Sequence, residues 1–118
     1  MGIFRVRIEV GDPQGTRFEA VDALVDTGAS HTAAPSSLLR RLGIEPYQSG
    51  SFQLADGRLL ELDIGQTWVR VNGERAITQV VFAEEGTQPL LGAVTLEQLG
   101  LGIDPIRKQL VPIPRLLM

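Results

Sequence analysis

The sequence predicts an all-β domain with two short helices, and three observations carry that reading. Phe4, Val6, Ile8 and Val10 alternate with Arg5, Arg7 and Glu9, the period-two signature of a half-buried strand. Asp56-Gly57 and Asn72-Gly73 each stand between apolar stretches, where such dipeptides favour two-residue hairpin turns because both central positions need positive φ. Helix signals are confined to two short segments, 35–43 and 95–100.

Taken in order, the alternating N-terminal strand ends at the turn "GDPQG" (11–15). "RFEAVDALV" (17–25) is again extended, and its last three residues are apolar without alternation, as in a strand covered on both faces. That strand delivers Asp26. Pro35-Ser36-Ser37 opens a short helix, "LLRRLG", which Gly43 closes. "SFQL" and "RLLELDI" flank Ala55-Asp56-Gly57, and "TWVRV" and "RAITQVVF" flank Asn72-Gly73, which makes two consecutive hairpins. A second short helix follows at "TLEQLG", with Thr95 as cap and Gly100 as stop. The prolines of "KQLVPIP" limit the last extended segment to an edge or a short strand. A weak internal echo links "LVDTG" and "LLRRLGIEP" to "PLLG" and "LEQLGLGIDP". It suggests a pseudo-two-fold domain, with chance similarity of two Leu-rich helices as the alternative.

The 118 residues are read as a single domain, 1–118, with room for one modest core. A net charge of -3 and the lack of Lys/Arg clusters beyond Arg40-Arg41 and Arg107-Lys108 argue against a nucleic-acid surface, which needs several converging cations. The absence of cysteine excludes disulfides, a thiolate nucleophile and Cys-ligated zinc, leaving oxygen and nitrogen groups for any chemistry. Arg and Glu within "MGIFRVRIEV" exclude a signal h-region or a membrane span, and Val6 fails the myristoylation motif at Gly2. The expectation is a soluble, cytoplasmic protein without membrane attachment.

Two near misses are set aside. Gly28-Ala29-Ser30-His31-Thr32 lacks the closing glycine of the G-x-S-x-G nucleophile elbow, and the chain has no room for the βα units of its host fold. His31 has no partner histidine, so a hydrogen-bonded loop histidine is favoured over a metal ligand. Among the carboxylates, Glu9, Glu19, Glu61, Asp63, Glu84 and Glu85 read as solvated, and Asp12, Asp56 and Asp104 as turn formers beside Gly or Pro. Asp26 differs because it follows "ALV": an acid ending a buried strand meets low dielectric, which disfavours its charged form. The competing reading is an Asx-turn that ends the strand, with Gly28 at positive φ.

"LVDTGA" resembles the aspartic protease signature, and the later Leu90-Leu91-Gly92, followed at once by a short helix, resembles the layout of the retropepsin-like (clan AA) enzymes. The hairpin at Asp56-Gly57 falls where those enzymes carry their flap. The similarity spans nearly the whole chain, and is nearest to the single-lobed bacterial and archaeal members and to the protease-like domain of DNA-damage-inducible ubiquitin shuttles. It implies a closed β-barrel lobe, homodimeric, acting as an aspartic endopeptidase on peptides or unfolded protein, with neither metal nor cofactor.

Elementary chemistry gives an independent reason for the dimer. Carboxylate-catalysed hydrolysis needs one ionised group to take a proton from water and one protonated group to polarise the carbonyl, and two close carboxylates sharing a proton supply both. One Asp-Thr-Gly per chain therefore requires two chains around a two-fold axis.

The resemblance implies Asp26 as the catalytic carboxylate, Thr27 as a hydrogen-bonding brace across the dimer axis, and Gly28 as the point of close substrate approach. It implies Ala29 and Ser30 as groove lining, Ala55, Asp56 and Gly57 as the flap tip, and Leu91 and Gly92 as supports beneath and beside the catalytic loop. Retroviral enzymes usually pair an acid after "DTGA" with an Arg after the apolar-apolar-Gly. Here Ser30 and Ala93 stand instead, so no orphan charge remains and the mode of dimerisation is open. A non-catalytic peptide-binding or dimerisation module on the same fold is the alternative.

Overall fold

Alternation, turn chemistry and a few glycines build the sheet of the computed structural model, which describes residues 2–115 and 117. The single-domain expectation also covers Met1, Leu116 and Met118, which lie outside the described residues. Strand β1 (Gly2–Gly11) buries Ile8 and Val10 and pairs antiparallel with β2 (Phe18–Asp26). The turn between them is organised by Asp12, which is 7% exposed and accepts hydrogen bonds from the Thr16 amide (2.7 Å), the Thr16 hydroxyl (2.8 Å) and the Arg17 amide (3.1 Å). β3 (Thr32–Pro35) was not foreseen, because its small residues carry no periodic signal.

Helix α1 (Ser36–Arg41) buries Leu38 and Leu39 and leaves Arg40 and Arg41 in its last turn, where cations suit the helix dipole. Its N-cap is Pro35, which has no side chain to offer. Instead the Glu85 carboxylate reaches across from another loop and accepts from the Ser37 amide (3.0 Å) and hydroxyl (2.9 Å). Gly43, at φ 86°, ends the helix as expected, with Gly43 N–H donating to Arg40 O and Ile44 N–H to Leu39 O.

β4 (Gln48–Gln53) and β5 (Leu59–Val71) form the first hairpin, and β6 (Glu74–Ala83) pairs with β5 through the second. Asn72 and Gly73 both take positive φ, 53° and 83°, as a two-residue turn requires. The first hairpin differs from expectation: of its loop only Gly57 is positive, at 88°, and the Leu54 amide donates to Arg58 O, which closes a three-residue loop, 55–57, in place of a two-residue turn. The segments 58–64 and 67–71 are also one strand. Gly65 does not break it; a Cβ there would stand 2.9 Å from side chains of both Ile44 and Phe82, so the glycine makes room for core packing.

β7 (Leu90–Leu91) leads into α2 (Ala93–Leu99), and β8 (Leu101–Asp104) pairs only with β9 (Gln109–Pro112), the edge character expected from the prolines. The other seven strands form one sheet in the order β1-β2-β7-β3-β6-β5-β4. β1 also pairs with β5 at Glu9–Arg70 and Val10–Val69, and there Arg70 Nε lies 2.9 Å from Glu9 Oε1. The core draws on the sheet and on both helices, and includes Val25, Leu39, Val69, Val80, Leu91 and Leu96. The internal echo is partial, since β3 intervenes between Gly28 and α1 whereas α2 follows Gly92 directly. Among the described residues no helix is long and apolar enough to cross a membrane.

Candidate active site

The site is built where three strands end together. β7 lies between β2 and β3, parallel to β2 (Leu24↔Leu90, Val25↔Leu91) and antiparallel to β3 (Ala33↔Leu90). Chain leaving β2 must therefore pass over the end of β7 to enter β3, and residues 27–31 make that crossing. Asp26 is the last residue of β2; it is half-buried, whereas Val25 before it is fully buried. Its Oδ1 accepts from the Gly28 amide at 2.9 Å, and its carbonyl accepts from the Ala29 amide at 3.2 Å. The Asx-turn and the presented carboxylate are thus one feature. Gly28 is not among the glycines at positive φ, contrary to expectation, because the side-chain carboxylate closes the turn.

Gly92 lies directly beneath this crossing. A Cβ on it would stand 2.5 Å from both the carbonyl carbon and the oxygen of His31, so only glycine fits. Immediately after it, the first amides of α2 donate upward, Ala93 N–H to Ala29 O at 2.8 Å and Val94 N–H to Ser30 O at 3.2 Å. At the positions where a side-chain ion pair is missing, the backbone itself makes the link. Leu91, fully buried, anchors this support from below; burying a side chain of that size contributes about 1.5–3 kcal/mol.

A chain of buried hydroxyls completes the brace. The Gly92 amide donates to Thr32 Oγ1 (3.0 Å), which lies 2.6 Å from Thr95 Oγ1, which in turn lies 2.9 Å from Thr78 Oγ1. Thr95 was expected to cap the helix. The helix begins two residues earlier, at Ala93 after the N-cap Gly92, and the Thr95 hydroxyl is spent inside the core.

An open groove of about 420 Å³ runs beside the crossing. Gly28, Ala29, Ser30 and His31 form one wall, and residues 51–54 of the first hairpin form the other. Its floor is apolar, from Ala33, Leu62, Val81, Ala83 and Leu90. Asp26 and Thr27 do not line it; they adjoin it at the end of β2, with Thr27 exposed. The expected flap tip, Ala55, Asp56 and Gly57, is also exposed and outside the lining, so in a single chain the hairpin arm rather than its tip meets the groove. At that tip the Arg58 amide and then its guanidinium hold the Asp56 carboxyl below the ordinary carboxylate range.

Sequence reasoning missed the threonine chain, Glu85 as a cap, and His31 and Phe52 as groove walls. For the first, three threonines spread over β3, β6 and α2 carry no local signal.

A model of the family described as aspartyl protease matches residues 6–95, a span holding Asp26-Thr27-Gly28, the first hairpin and Leu90-Leu91-Gly92. The chain belongs to the aspartyl protease family. Its fold is retropepsin-like: the solution structure of the simian foamy virus (mac) protease superposes with a TM-score of 0.56 at 20% identity, covering 79% of this chain and 91% of that one. No curated protein sequence matches significantly. Within the matched span, Asp26 ends β2, Thr27 and Gly28 open the crossing, and Leu90-Leu91-Gly92 lies beneath it.

Proposed function

We propose that this aspartyl protease family member hydrolyses peptide bonds as a homodimer, in which Asp26 of each copy contributes one carboxylate to a shared dyad. The observation that carries the reading is the position of Asp26 itself: the acid of the chain's one Asp-Thr-Gly, held by the Gly28 amide beside an open groove with an apolar floor. With one proton between the two carboxylates, the ionised one takes a proton from a water lying between them while the other donates to the carbonyl oxygen. The water oxygen attacks the carbonyl carbon, and collapse of the tetrahedral adduct with proton transfer to nitrogen breaks the C–N bond. Thr27, exposed in one chain, is the brace between the paired loops. Ala55, Asp56 and Gly57 close over the peptide to exclude water. The lobe is read as a closed barrel, a reading supported by the return of the pairings to β1 through β5.

The test is cleavage of a peptide library by the purified chain at mildly acid pH. Turnover in the wild type that falls about 10³-fold or more in Asp26→Asn, with the fold unchanged, supports the reading. Groove binding that survives Asp26→Asn, with no turnover at any pH, assigns the groove to peptide binding alone. A strict monomer at working concentration removes the dyad.

A further inference from the structure

His31 is the chain's only histidine and the groove's only ionisable lining residue apart from hydroxyls. Its backbone is pressed on Gly92, its Nδ1 lies 2.9 Å from Ser30 Oγ, and its ring meets Phe52 edge-on at 5.4 Å and 87°. Held on both sides, the ring keeps one orientation, and Nε2 makes no hydrogen bond among the described residues.

The groups facing the ring are the Ser30 hydroxyl from its own loop and the Phe52 ring from β4. No carboxylate or cation lines the groove. Of the acids on the neighbouring hairpin and loop, Glu61 accepts from Ser51 Oγ at 2.6 Å, Asp56 pairs with Arg58 at 2.9 Å, and Asp26 accepts from Gly28 N–H. A protonated imidazole above an apolar floor has no ion-pair partner among the described residues. Such a charge is costly to cover with an apolar ligand and is compensated by a carboxylate.

We propose that His31 is a specificity residue that selects peptides with an acidic side chain at the one position meeting its Nε2. The inference rests on the reading of the groove as a peptide-hydrolysing site and adds the class of peptide it takes. Selectivity requires a charged imidazole and an ionised peptide carboxylate together, so it is compared at an acid and at a neutral pH.

The experiment uses the full chain and a peptide mixture from a digested proteome, with cleavage sites mapped by mass spectrometry at about pH 5 and about pH 7.5. A pair of peptides differing only by Glu against Gln at the enriched position is then timed. The expected result is a kcat/KM ratio of about five in favour of Glu at the lower pH, within the range of a solvent-accessible ion pair, falling toward one at the higher. Because the ratio cancels the pH response of the shared catalytic carboxylates, its loss reports the one histidine. His31→Gln brings the ratio to one at both pH values, whatever its effect on the rate with either peptide. Cleavage without acidic enrichment, or a ratio that is unchanged by pH in the wild type, overturns this inference and leaves the protease reading standing. No cleavage at either pH, with wild type and Asp26→Asn alike, overturns both. The pH arm needs only the wild type, so an unstable variant does not spare the inference.

Discussion

Thr32 and Thr95 lie 2.6 Å apart, hydroxyl to hydroxyl, although 63 residues separate them in the chain. Both are essentially inaccessible to solvent, 0% and 1% exposed. Through Thr32 the pair also receives the Gly92 amide, and through Thr95 it reaches Thr78, so β3, β6 and α2 are tied beneath the crossing of residues 27–31. Thr95→Val keeps the shape and removes the central hydroxyl, leaving two buried hydroxyls short of a partner. The expected cost is about 1–3 kcal/mol, read from urea denaturation midpoints. Thr95→Ser restores most of the loss; a Thr95→Val protein as stable as wild type would show that the chain of hydroxyls is not a brace.

Gly92→Ala has a different physical origin. Its backbone conformation, φ −91°, suits any residue, so the barrier is space alone: the new methyl would sit 2.5 Å from the His31 carbonyl. Backbone cannot yield as a flexible side chain can, and relief requires lifting residues 29–31 off the amides of Ala93 and Val94. Destabilisation of about 3 kcal/mol is expected, at the upper end for overpacking, together with loss of peptide cleavage. A soluble, wild-type-like and active Gly92→Ala chain would refute the close approach.

These two residues also mark where the sequence was legible and where it was not. Asp26-Thr27-Gly28, Asn72-Gly73 and Leu90-Leu91-Gly92 announce themselves because each couples an apolar run to a residue with a local backbone task. Gly65 falls between two segments read separately from the sequence, yet it lies within one strand as a clearance for Ile44 and Phe82, which no local pattern reveals. Thr95 misleads, since a threonine ahead of a Leu-rich run looks like a cap until tertiary contacts claim its hydroxyl. β3 and β8, at four residues each, are too short to show a period and exist because neighbouring strands offer them partners. The groove and its His31 wall depend on which strands adjoin, and that is set by pairings between distant segments.

At the hairpin tip, Gly57→Ala separates backbone conformation from packing. A Cβ there meets nothing within 4 Å, but φ is +88°, so the cost is conformational, about 1–2 kcal/mol. The expected result is a modest fall in Tm, roughly 3–8 °C, with a several-fold drop in kcat/KM as the tip shifts away from the peptide. Gly57→Asn, which tolerates this region, retains most of both. Equal loss in the two variants would mean that the tip tolerates no side chain, and the conformational argument would fail.

Acid response follows from carboxylates that folding holds in their charged form. Burial works against the charge of Asp12, but the Thr16 amide and hydroxyl and the Arg17 amide outweigh it and hold the carboxyl below its ordinary range. The Ser37 amide and hydroxyl do the same for Glu85, and Arg70 does so for Glu9. Each group binds a proton less readily when folded than when unfolded, so its contribution is complete above the unfolded value, near 4, and is lost as pH falls through the lower folded value. Stability is therefore expected to be level from about pH 7 to about pH 5 and to decline below about pH 4, followed by denaturation monitored at Trp68. Asp12→Asn lowers the plateau and flattens the decline, because its part of the proton uptake is gone. A variant whose acid limb is as steep as wild type would mean that Asp12 does not contribute to it. The mildly acid range needed for a shared-proton dyad then lies on the plateau, so loss of cleavage there by Asp26→Asn is a chemical effect and not an unfolding one.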